Sequence, residues 1–221
     1  MVYLPPLFTE TRPEILAAHI ERYDFGLLVT DGSGNGRAGG GMAGGEMTAS
    51  QIPFLLERRD GRLYLQGHVA HANPLAAALS PARPALAIFQ GPHAYISPSW
   101  YEAGPAVPTW NYASVHAYGE ARAIDDPDWL RDLVERLSER HEAREPQPHW
   151  QMRHLPDDYV AMMLRGIVGV ELAVERLDGK FKLSQNRPAG DRPRIIDALE
   201  RRGDAESQAV AQLMRERERR G

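Results

Sequence analysis

Residues 47–69 read MTASQIPFLLERRDGRLYLQGHV, and this segment indicates the class of the fold. Met47 to Leu56 has the composition of a strand, in which Pro53 favours an edge position or a bulge. Arg59-Asp60-Gly61 is typical of a hairpin turn, and Leu63 to Val69 follows as the return strand. Because two strands joined by a tight turn pair antiparallel, the segment predicts an antiparallel sheet.

Short strands and small helices follow one another on both sides of this hairpin. Strands are predicted at 25–30, 85–90, 93–97, 109–124, 167–174 and 180–184, with turns at Gly91-Pro92 and Asp178-Gly179. Helices are predicted at 12–23, 73–79, 126–143 and 157–165, and in two stretches of 191–221 that separate at Gly203-Asp204. Regular strand–helix–strand units are few. The predicted fold is therefore mainly β with peripheral helices (α+β), an antiparallel barrel at 1–190 followed by a C-terminal helical extension at 191–221.

The composition excludes several kinds of site. The chain has 221 residues, no cysteine and a formal net charge of -4. The lack of cysteine excludes disulfides, thiolate nucleophiles, zinc–thiolate sites and iron–sulfur clusters. A weakly acidic chain is a poor general binder of polyanions, although a local basic patch stays open. No apolar run reaches about 18 residues and no signal-peptide pattern is present, so we expect a cytoplasmic protein without a membrane partner.

Residues 31–46 are the most glycine-rich segment, with eight glycines among sixteen residues. Such a segment has little to bury and loses much backbone entropy on ordering, so it is interpreted as a mobile hairpin loop inserted in the barrel. A phosphate-binding loop is the alternative, but no Gly-Lys-Ser/Thr sequence and no helix follow it.

Gly67 to Pro74 is the first of four polar clusters. It ends a predicted strand and begins a helix, where unpaired backbone N–H groups and a partial positive charge suit a phosphate. His68 and His71 would add donors. The alternatives are that these histidines cap and orient the strand end, or that they bind a metal with a third ligand such as His93 or His116.

Two further clusters, Phe89 to Tyr101 and Pro108 to Tyr112, combine aromatic rings with amides and hydroxyls. This composition suits a flat heteroaromatic ligand, whose faces are apolar and whose edge atoms form hydrogen bonds. A packed core or a subunit interface is the alternative, because aromatic residues are enriched there as well.

The fourth cluster, Gly179 to Arg187, contains three cations and three neutral donors within 180–187. Strand alternation would place Lys180, Lys182 and Ser184 on one face and the two apolar residues between them on the other. A cationic face beside a core strand indicates an anion site, and a solvated charged face is the alternative.

Six motifs occur in a fixed order along the chain. They are Tyr3-Leu4-Pro5 with Phe8, Gly67-His68-Val69-Ala70-x-Ala72-Asn73-Pro74, Phe89 to Tyr101, Val107 to Tyr112, Ile167-Val168-Gly169 and Gly179 to Arg187. Through them the chain resembles the PaiB type of FMN-binding negative transcriptional regulators. The resemblance implies a split β-barrel like that of the pyridoxamine-phosphate-oxidase-type flavoproteins, in which two subunits pair and FMN lies at the dimer interface.

The resemblance also implies which residues hold the cofactor. The phosphate of FMN would lie at His68 to Asn73, and the flavin or the substrate near Gln90 and the two later motifs. The expected cofactor-binding residues are His68, Val69, His71, Asn73, Gln90, Trp110, Asn111, Lys180, Lys182, Ser184, Gln185 and Arg187. No metal is expected, and no catalytic residue is assigned.

Two positions depart from the family pattern. Gln51 stands in Ser50-Gln51-Ile52-Pro53 where the family commonly has Thr-His-Leu-Pro, and His71 stands where the family often has arginine. At His71 a weak base replaces a permanent cation, so we expect weakened binding of the FMN phosphate.

The leading hypothesis is a homodimeric FMN-binding protein, which is either a flavin-dependent oxidoreductase or a flavin sensor. The second hypothesis is a DNA-associated regulator without enzymatic activity. Because no convincing recognition helix follows Gly203, direct contact with DNA is not expected. The third is a haem-binding split barrel, with His68, His71, His93 and His116 as candidate ligands.

Overall fold

The computed structural model describes residues 2–31, 47–102 and 105–220. The strands are β1 Thr9–Glu10, β2 Phe25–Asp31, β3 Met47–Pro53, β4 Leu55–Arg59, β5 Arg62–Ala70, β6 Arg83–Ile96, β7 Thr109–Ile124 and β8 Ile167–Lys182. The α-helices are α1 Pro13–Arg22, α2 Pro74–Ala78, α3 Pro127–Glu142, α4 Asp157–Leu164, α5 Asp191–Arg202 and α6 Ala205–Arg220. The predicted loop at 31–46 lies outside the described residues, apart from Asp31 at the end of β2. None of the described helices is long and apolar enough to cross a membrane.

The strands form one sheet in the order β3-β2-β6-β7-β8-β5-β4, and β1 also pairs with β8. One Cα pair fixes each antiparallel register that follows: Thr9↔Lys180, Leu27↔Gln51, Leu27↔Ile88, Leu55↔Gln66 and Tyr64↔Ala173. The prediction of a mainly β, antiparallel fold with peripheral helices is confirmed.

The hairpin that indicated the fold class forms as predicted, with Asp60 and Gly61 in the left-handed region at φ 50 and 78. The strand predicted at 47–56 is wrong in one respect, because it breaks at Phe54 between β3 and β4. The Phe54 N–H donates to the Asp24 carbonyl at 2.8 Å, and its buried ring meets Phe89 edge-on at 5.8 Å between centroids. β3 ends the sheet, so the edge position predicted for Pro53 is confirmed.

The two turns predicted at Gly91-Pro92 and Asp178-Gly179 are wrong, because β6 and β8 continue through them. Both glycines allow close packing instead. A Cβ at Gly91 would lie 2.5 Å from the His19 ring, and a Cβ at Gly179 would lie 2.8 Å from the Glu10 carbonyl oxygen. Since only glycine allows such close approaches, these two glycines are needed for packing inside the protein and not for a turn.

The chain divides into two compact units. The first unit contains Met1–His19, Gln90–His116 and Asp178–Gly221, and the second contains Ile20–Phe89 and Ala117–Leu177. The strands β6, β7 and β8 run from one unit into the other along the chain. The division into 1–190 and 191–221 stays a prediction.

In the first unit, α5 and α6 bury apolar faces that include Ile195, Leu199 and Val210. Gly203 ends α5 in the left-handed conformation at φ 73, and an Asp204 carboxylate oxygen accepts the Ser207 N–H at 2.9 Å. The predicted break at Gly203-Asp204 is therefore confirmed, since a glycine C-cap and an aspartate N-cap are the usual signals.

In the second unit, α3 begins where predicted because Asp126 caps it, with Oδ1 accepting the N–H groups of Asp128 and Trp129 at 2.9 and 3.1 Å. Leu130 of α3 packs in a cluster with Val160 and Leu164 of α4, and Trp129 lies against the same cluster. Burial of this stripe fixes both helices on the sheet.

Glu171 on β8 is a buried charge in the second unit. Its carboxylate pairs with Arg59 and with Arg122 Nη2 at 2.7 Å, and accepts Gln66 Nε2 at 2.8 Å. Burial acts to raise the pKa of Glu171, but the hydrogen bonds from Gln66 and Arg122 and the two arginine charges outweigh it. The pKa is therefore held below its ordinary value of 4.5.

We expect Glu171→Gln to destabilise the fold at neutral pH, because two arginines lose their shared partner. Since the folded pKa is lowered, the stabilisation by Glu171 is present above pH 4.5 and is lost as the pH falls through the folded pKa. Urea unfolding at a series of pH values should show a steeper acid loss in the wild type than in this variant. Glu175→Gln, at an exposed position of the same strand, is the matched control. Equal acid profiles for wild type and Glu171→Gln would contradict the expectation.

Candidate functional site

The predicted cofactor-binding residues fall in both units, and each group is described by itself. Those in the second unit are His68, Val69, His71 and Asn73, and the other eight lie in the first unit.

In the second unit, Asn73 forms the predicted N-cap of α2. Its Oδ1 accepts the Leu75 N–H at 2.9 Å, and its Nδ2 donates to Ser50 Oγ at 3.1 Å. The cap thus uses the side chain that the sequence assigned to the cofactor. Because α2 has five residues, its dipole adds little positive charge for a phosphate.

The histidines of this group bring no permanent charge. His68 is half-buried on β5, burial lowers its pKa, and its Nδ1 has no hydrogen-bond partner in the part of the chain that the structure describes. His71 is exposed, and its N–H donates to the Gly166 carbonyl at 2.8 Å. Val69 is buried opposite Val168 of β8. A phosphate here would meet the His68 imidazole, whose pKa burial lowers, and backbone groups. The weak binding expected from the sequence stays a prediction.

In the first unit, a tight turn follows β8. Ser184 lies in the left-handed region at φ 63, and the Arg187 N–H donates to the Ser184 carbonyl at 3.0 Å. Gln185 closes the turn from its side chain, since Oε1 accepts the Leu183 N–H at 2.6 Å and Nε2 donates to the Phe181 carbonyl. The Gln185 amide therefore shapes the turn.

Ser184 points into the protein and not along the cationic face predicted for it, because the strand ends at Lys182. It is bonded to the fully buried Asn111 of β7, whose Nδ2 donates to Ser184 Oγ at 2.9 Å. In return, the Ser184 hydroxyl donates to Asn111 Oδ1 at 3.1 Å. This pair fixes the turn to the start of β7.

The three cations of the fourth cluster have different partners. Lys180 lies over the rings of Tyr3 and Tyr112, at 5.2 and 5.6 Å from their centroids. Lys182 donates from Nζ to Thr109 Oγ1 and to the Trp110 carbonyl at 3.0 Å. Burial, and then the charge of Lys180, lower the pKa of Lys182. The predicted cationic face is therefore confirmed for Lys180 and Lys182, which lie on either side of the buried Phe181 on β8, and it is wrong for Ser184, which turns inward.

Arg187 lies with its guanidinium carbon 3.6 Å from the centroid of the Tyr101 ring. Together with Lys182 it lines a pocket of about 460 Å³, which we call the Lys182–Arg187 pocket. The other polar residues that line it are Tyr101, Thr109, Asn111, Ser184 and Asn186, and Phe8 and residues 105–108 provide its apolar wall. Its volume is that of a small-molecule site.

Exposed aromatic rings occupy neighbouring strands of the same unit. Trp110 of β7 is 52% exposed, and its ring meets those of His93 and Tyr95 of β6, each at 6.0 Å between centroids. Gln90 is exposed on the same strand, with Nε2 near the Gly91 carbonyl at 3.3 Å. We call Trp110, Tyr95 and His93 the aromatic face. It leaves flat apolar surface and amide groups in contact with solvent.

Tyr101 and Thr109 were not among the predicted site residues, although both line the pocket. Tyr101 ends the long aromatic motif and Thr109 precedes Trp110, so membership of the quoted motifs was the available signal. Among the described residues, no three His, Asp or Glu side chains are arranged to hold a metal ion.

Comparison with known proteins identifies the family. Residues 2–176 match the family model described as "Putative FMN-binding domain", and the chain belongs to this family. The chain is 31% identical over 216 residues to the protease synthase and sporulation protein PAI 2 of Bacillus subtilis, covering 98% of each chain. It is also 35% identical over 204 residues to an uncharacterised protein of Emericella nidulans, covering 76% of this chain and 81% of that protein.

Solved structures share the fold. A conserved hypothetical protein of Mycobacterium tuberculosis superposes with a TM-score of 0.53 at 14% identity, covering 85% of this chain and 94% of that one. The FAD and heme binding protein of Mycobacterium smegmatis gives 0.51 at 16% identity, with coverages of 84% and 78%. The protein is thus a PaiB-type member of the putative FMN-binding family, and it shares the fold of these two structures.

We expect Ser184→Ala to destabilise the protein by about 1–3 kcal/mol, because the buried Asn111 amide loses its partner and alanine resists a positive φ. Ser184→Gly separates the two causes, since glycine adopts this φ freely but lacks the hydroxyl. Urea unfolding should therefore rank wild type above Ser184→Gly and Ser184→Gly above Ser184→Ala. A Ser184→Gly variant as stable as the wild type would show that the hydrogen bond contributes nothing.

Proposed function

We propose that the protein binds FMN as a homodimer and that the isoalloxazine ring lies against the aromatic face. The observation that carries this proposal is the exposure of Trp110 beside Tyr95 and His93 on two adjacent strands. Membership of an FMN-binding family supports the choice of ligand.

The chemistry of the face fits the ring system. Isoalloxazine is flat, with apolar faces and polar edge atoms, and aromatic side chains cover such faces favourably. The exposed amide of Gln90 and the imidazole of His93 supply hydrogen-bonding groups at the edge. The backbone N–H of His93 donates to Glu206 Oε2 at 2.9 Å, and the ring Nδ1 of His93 lies 3.5 Å from the same oxygen.

Exposed apolar side chains, in this face and elsewhere in its unit, favour a second copy as the partner. Val107 is 75% exposed and Tyr95 is 40% exposed, both in the same unit as Trp110. Aromatic residues are enriched at subunit interfaces, where they combine apolar area with hydrogen bonds. A dimer would withdraw this area from water, and this is the arrangement that the family resemblance implies.

The proposed biological role is regulation that responds to flavin binding, as the printed name of the Bacillus relative concerns protease synthesis and sporulation. Bound FMN would supply hydride or electron transfer if the protein is an enzyme. Direct contact with DNA is not part of the proposal, because arginines of the C-terminal helices face acids. Arg215 pairs with Glu200 at 2.7 Å, and Arg194 with Glu102 at 2.8 Å. The cytoplasmic location stays a prediction.

We expect Trp110→Ala to weaken FMN binding at least about fivefold, because the isoalloxazine ring of FMN loses its contact with the Trp110 side chain. The Trp110 carbonyl, which accepts from Lys182, is retained in this variant. Quenching of flavin fluorescence on titration of the full chain measures the affinity. Trp150→Ala, which removes another exposed tryptophan but from the second unit, should leave the affinity unchanged.

Two results would reject the proposal. One is the absence of quenching and of a bound chromophore at high FMN in the wild type. The other is an equal affinity for Trp110→Ala and Trp150→Ala. Light scattering after size exclusion tests the assembly separately, and a mass of 24.7 kDa instead of twice that value would reject the homodimer.

A further inference from the structure

The Lys182–Arg187 pocket concentrates positive charge without compensation. None of the described residues that line it is acidic. No carboxylate in the described part of the chain forms an ion pair with Lys182 or Arg187. A pocket beside the C-terminal helices differs, because there Arg192 and Arg217 lie with Glu218. Two cations that share a partly enclosed space repel each other unless an anion joins them.

The donors of the pocket are incompletely used. An ammonium has three N–H groups, and Lys182 donates two of them, to Thr109 Oγ1 and to the Trp110 carbonyl. Thr109 Oγ1 accepts there, so its own hydrogen is left to donate. The Tyr101 hydroxyl is buried and has no hydrogen-bond partner among the described residues. Such a hydroxyl is costly to leave unsatisfied.

The geometry of these groups is held in place before any ligand arrives. The Tyr101 ring supports one face of the Arg187 guanidinium, which leaves the N–H edge free for a bidentate contact. The turn that carries Arg187 is fixed by the Asn111–Ser184 pair and by the Gln185 amide. Preorganisation of this kind reduces the entropy lost on binding.

The remaining wall is apolar and comes from Phe8, Val107 and the neighbouring prolines. A volume of about 460 Å³ exceeds what a single oxoanion fills, and it lies in the range for small organic ligands. The wall therefore suits the carbon body that carries the anionic group.

We propose that the Lys182–Arg187 pocket binds the phosphate or carboxylate group of a small organic molecule, with Lys182, Arg187 and Thr109 as donors and the Tyr101 hydroxyl as an additional partner. The anion is either the phosphate of FMN itself or that of a separate ligand. The proposal does not depend on the placement of the flavin ring at the aromatic face, and its test uses a probe without a flavin.

The probe is phenyl phosphate, titrated calorimetrically into the full-length protein, with phenol as the uncharged control. We expect Arg187→Gln and Lys182→Met each to weaken phenyl phosphate binding at least about tenfold, because each removes a charge-assisted hydrogen bond. Arg194→Gln is the matched control, since this arginine of the same unit already pairs with Glu102, and it should bind as the wild type does. Tyr101→Phe should weaken binding less, while leaving the ring stacked on Arg187.

A second arm distinguishes the two sources of the anion. If the FMN phosphate occupies the pocket, Arg187→Gln weakens FMN but not riboflavin, and phenyl phosphate competes with FMN. If a separate ligand occupies it, FMN affinity is unchanged by Arg187→Gln and phenyl phosphate binds the FMN-loaded protein equally well. Both outcomes support an anion pocket.

The proposal is overturned if the wild type shows no preference for phenyl phosphate over phenol. It is also overturned if both folded variants bind the probe as tightly as Arg194→Gln does. Circular dichroism establishes the folding of each variant. Arg187→Gln keeps the test decisive if Lys182→Met fails to fold. Within 2–31, 47–102 and 105–220, the turn is bonded through the backbone N–H of Arg187 and not through its side chain. Loss of flavin binding in Trp110→Ala with phenyl phosphate binding retained would separate this pocket from the flavin proposal.

Discussion

The hydrogen-bonded pair of Asn111 and Ser184 is the interaction on which the first unit depends. It joins residues 73 positions apart, at the start of β7 and just beyond the end of β8. Both side chains are buried, so each satisfies a polar group that would otherwise be costly to enclose. Because Ser184 is anchored here, the next residues turn sharply, and Arg187 reaches the Tyr101 ring. The position of Arg187 in the Lys182–Arg187 pocket therefore depends on this buried pair.

Charge distinguishes the two groups of residues that the family resemblance assigns to the cofactor. In the second unit, Asn73 is used as a helix cap and burial lowers the pKa of His68, so this group lacks a permanent cation. In the first unit, Lys182 and Arg187 carry charge that no described acid neutralises. An anionic group is bound more favourably by Lys182 and Arg187 of the first unit, since uncompensated cations in a partly enclosed pocket attract an anion strongly. The replacement of the family's arginine by His71 increases this contrast.

Local patterns predicted most of the helices and strands. They predicted turns wrongly at Gly91-Pro92 and Asp178-Gly179, where the glycine is needed for close packing between distant segments. The hairpin at Asp60-Gly61 and the caps at Asp126 and Gly203 formed as expected, because each depends on residues within one turn. Gly91 and Gly179 also looked like turn residues. They lie inside long strands because His19 and the Glu10 carbonyl approach them too closely for a side chain. No local pattern distinguishes a glycine needed for a turn from one needed for close packing.

The sequence alone determined the antiparallel class and the family, because the hairpin turn and the ordered motifs depend only on the order of residues along the chain. The site residues named from those motifs stay a prediction. Only the tertiary structure showed that Lys180 lies over two tyrosine rings, that Ser184 turns inward, and that Tyr101 and Thr109 line a pocket with Lys182 and Arg187. The reason is physical. These contacts join segments far apart in sequence, and their geometry is set by strand pairing and by the need to satisfy buried polar groups.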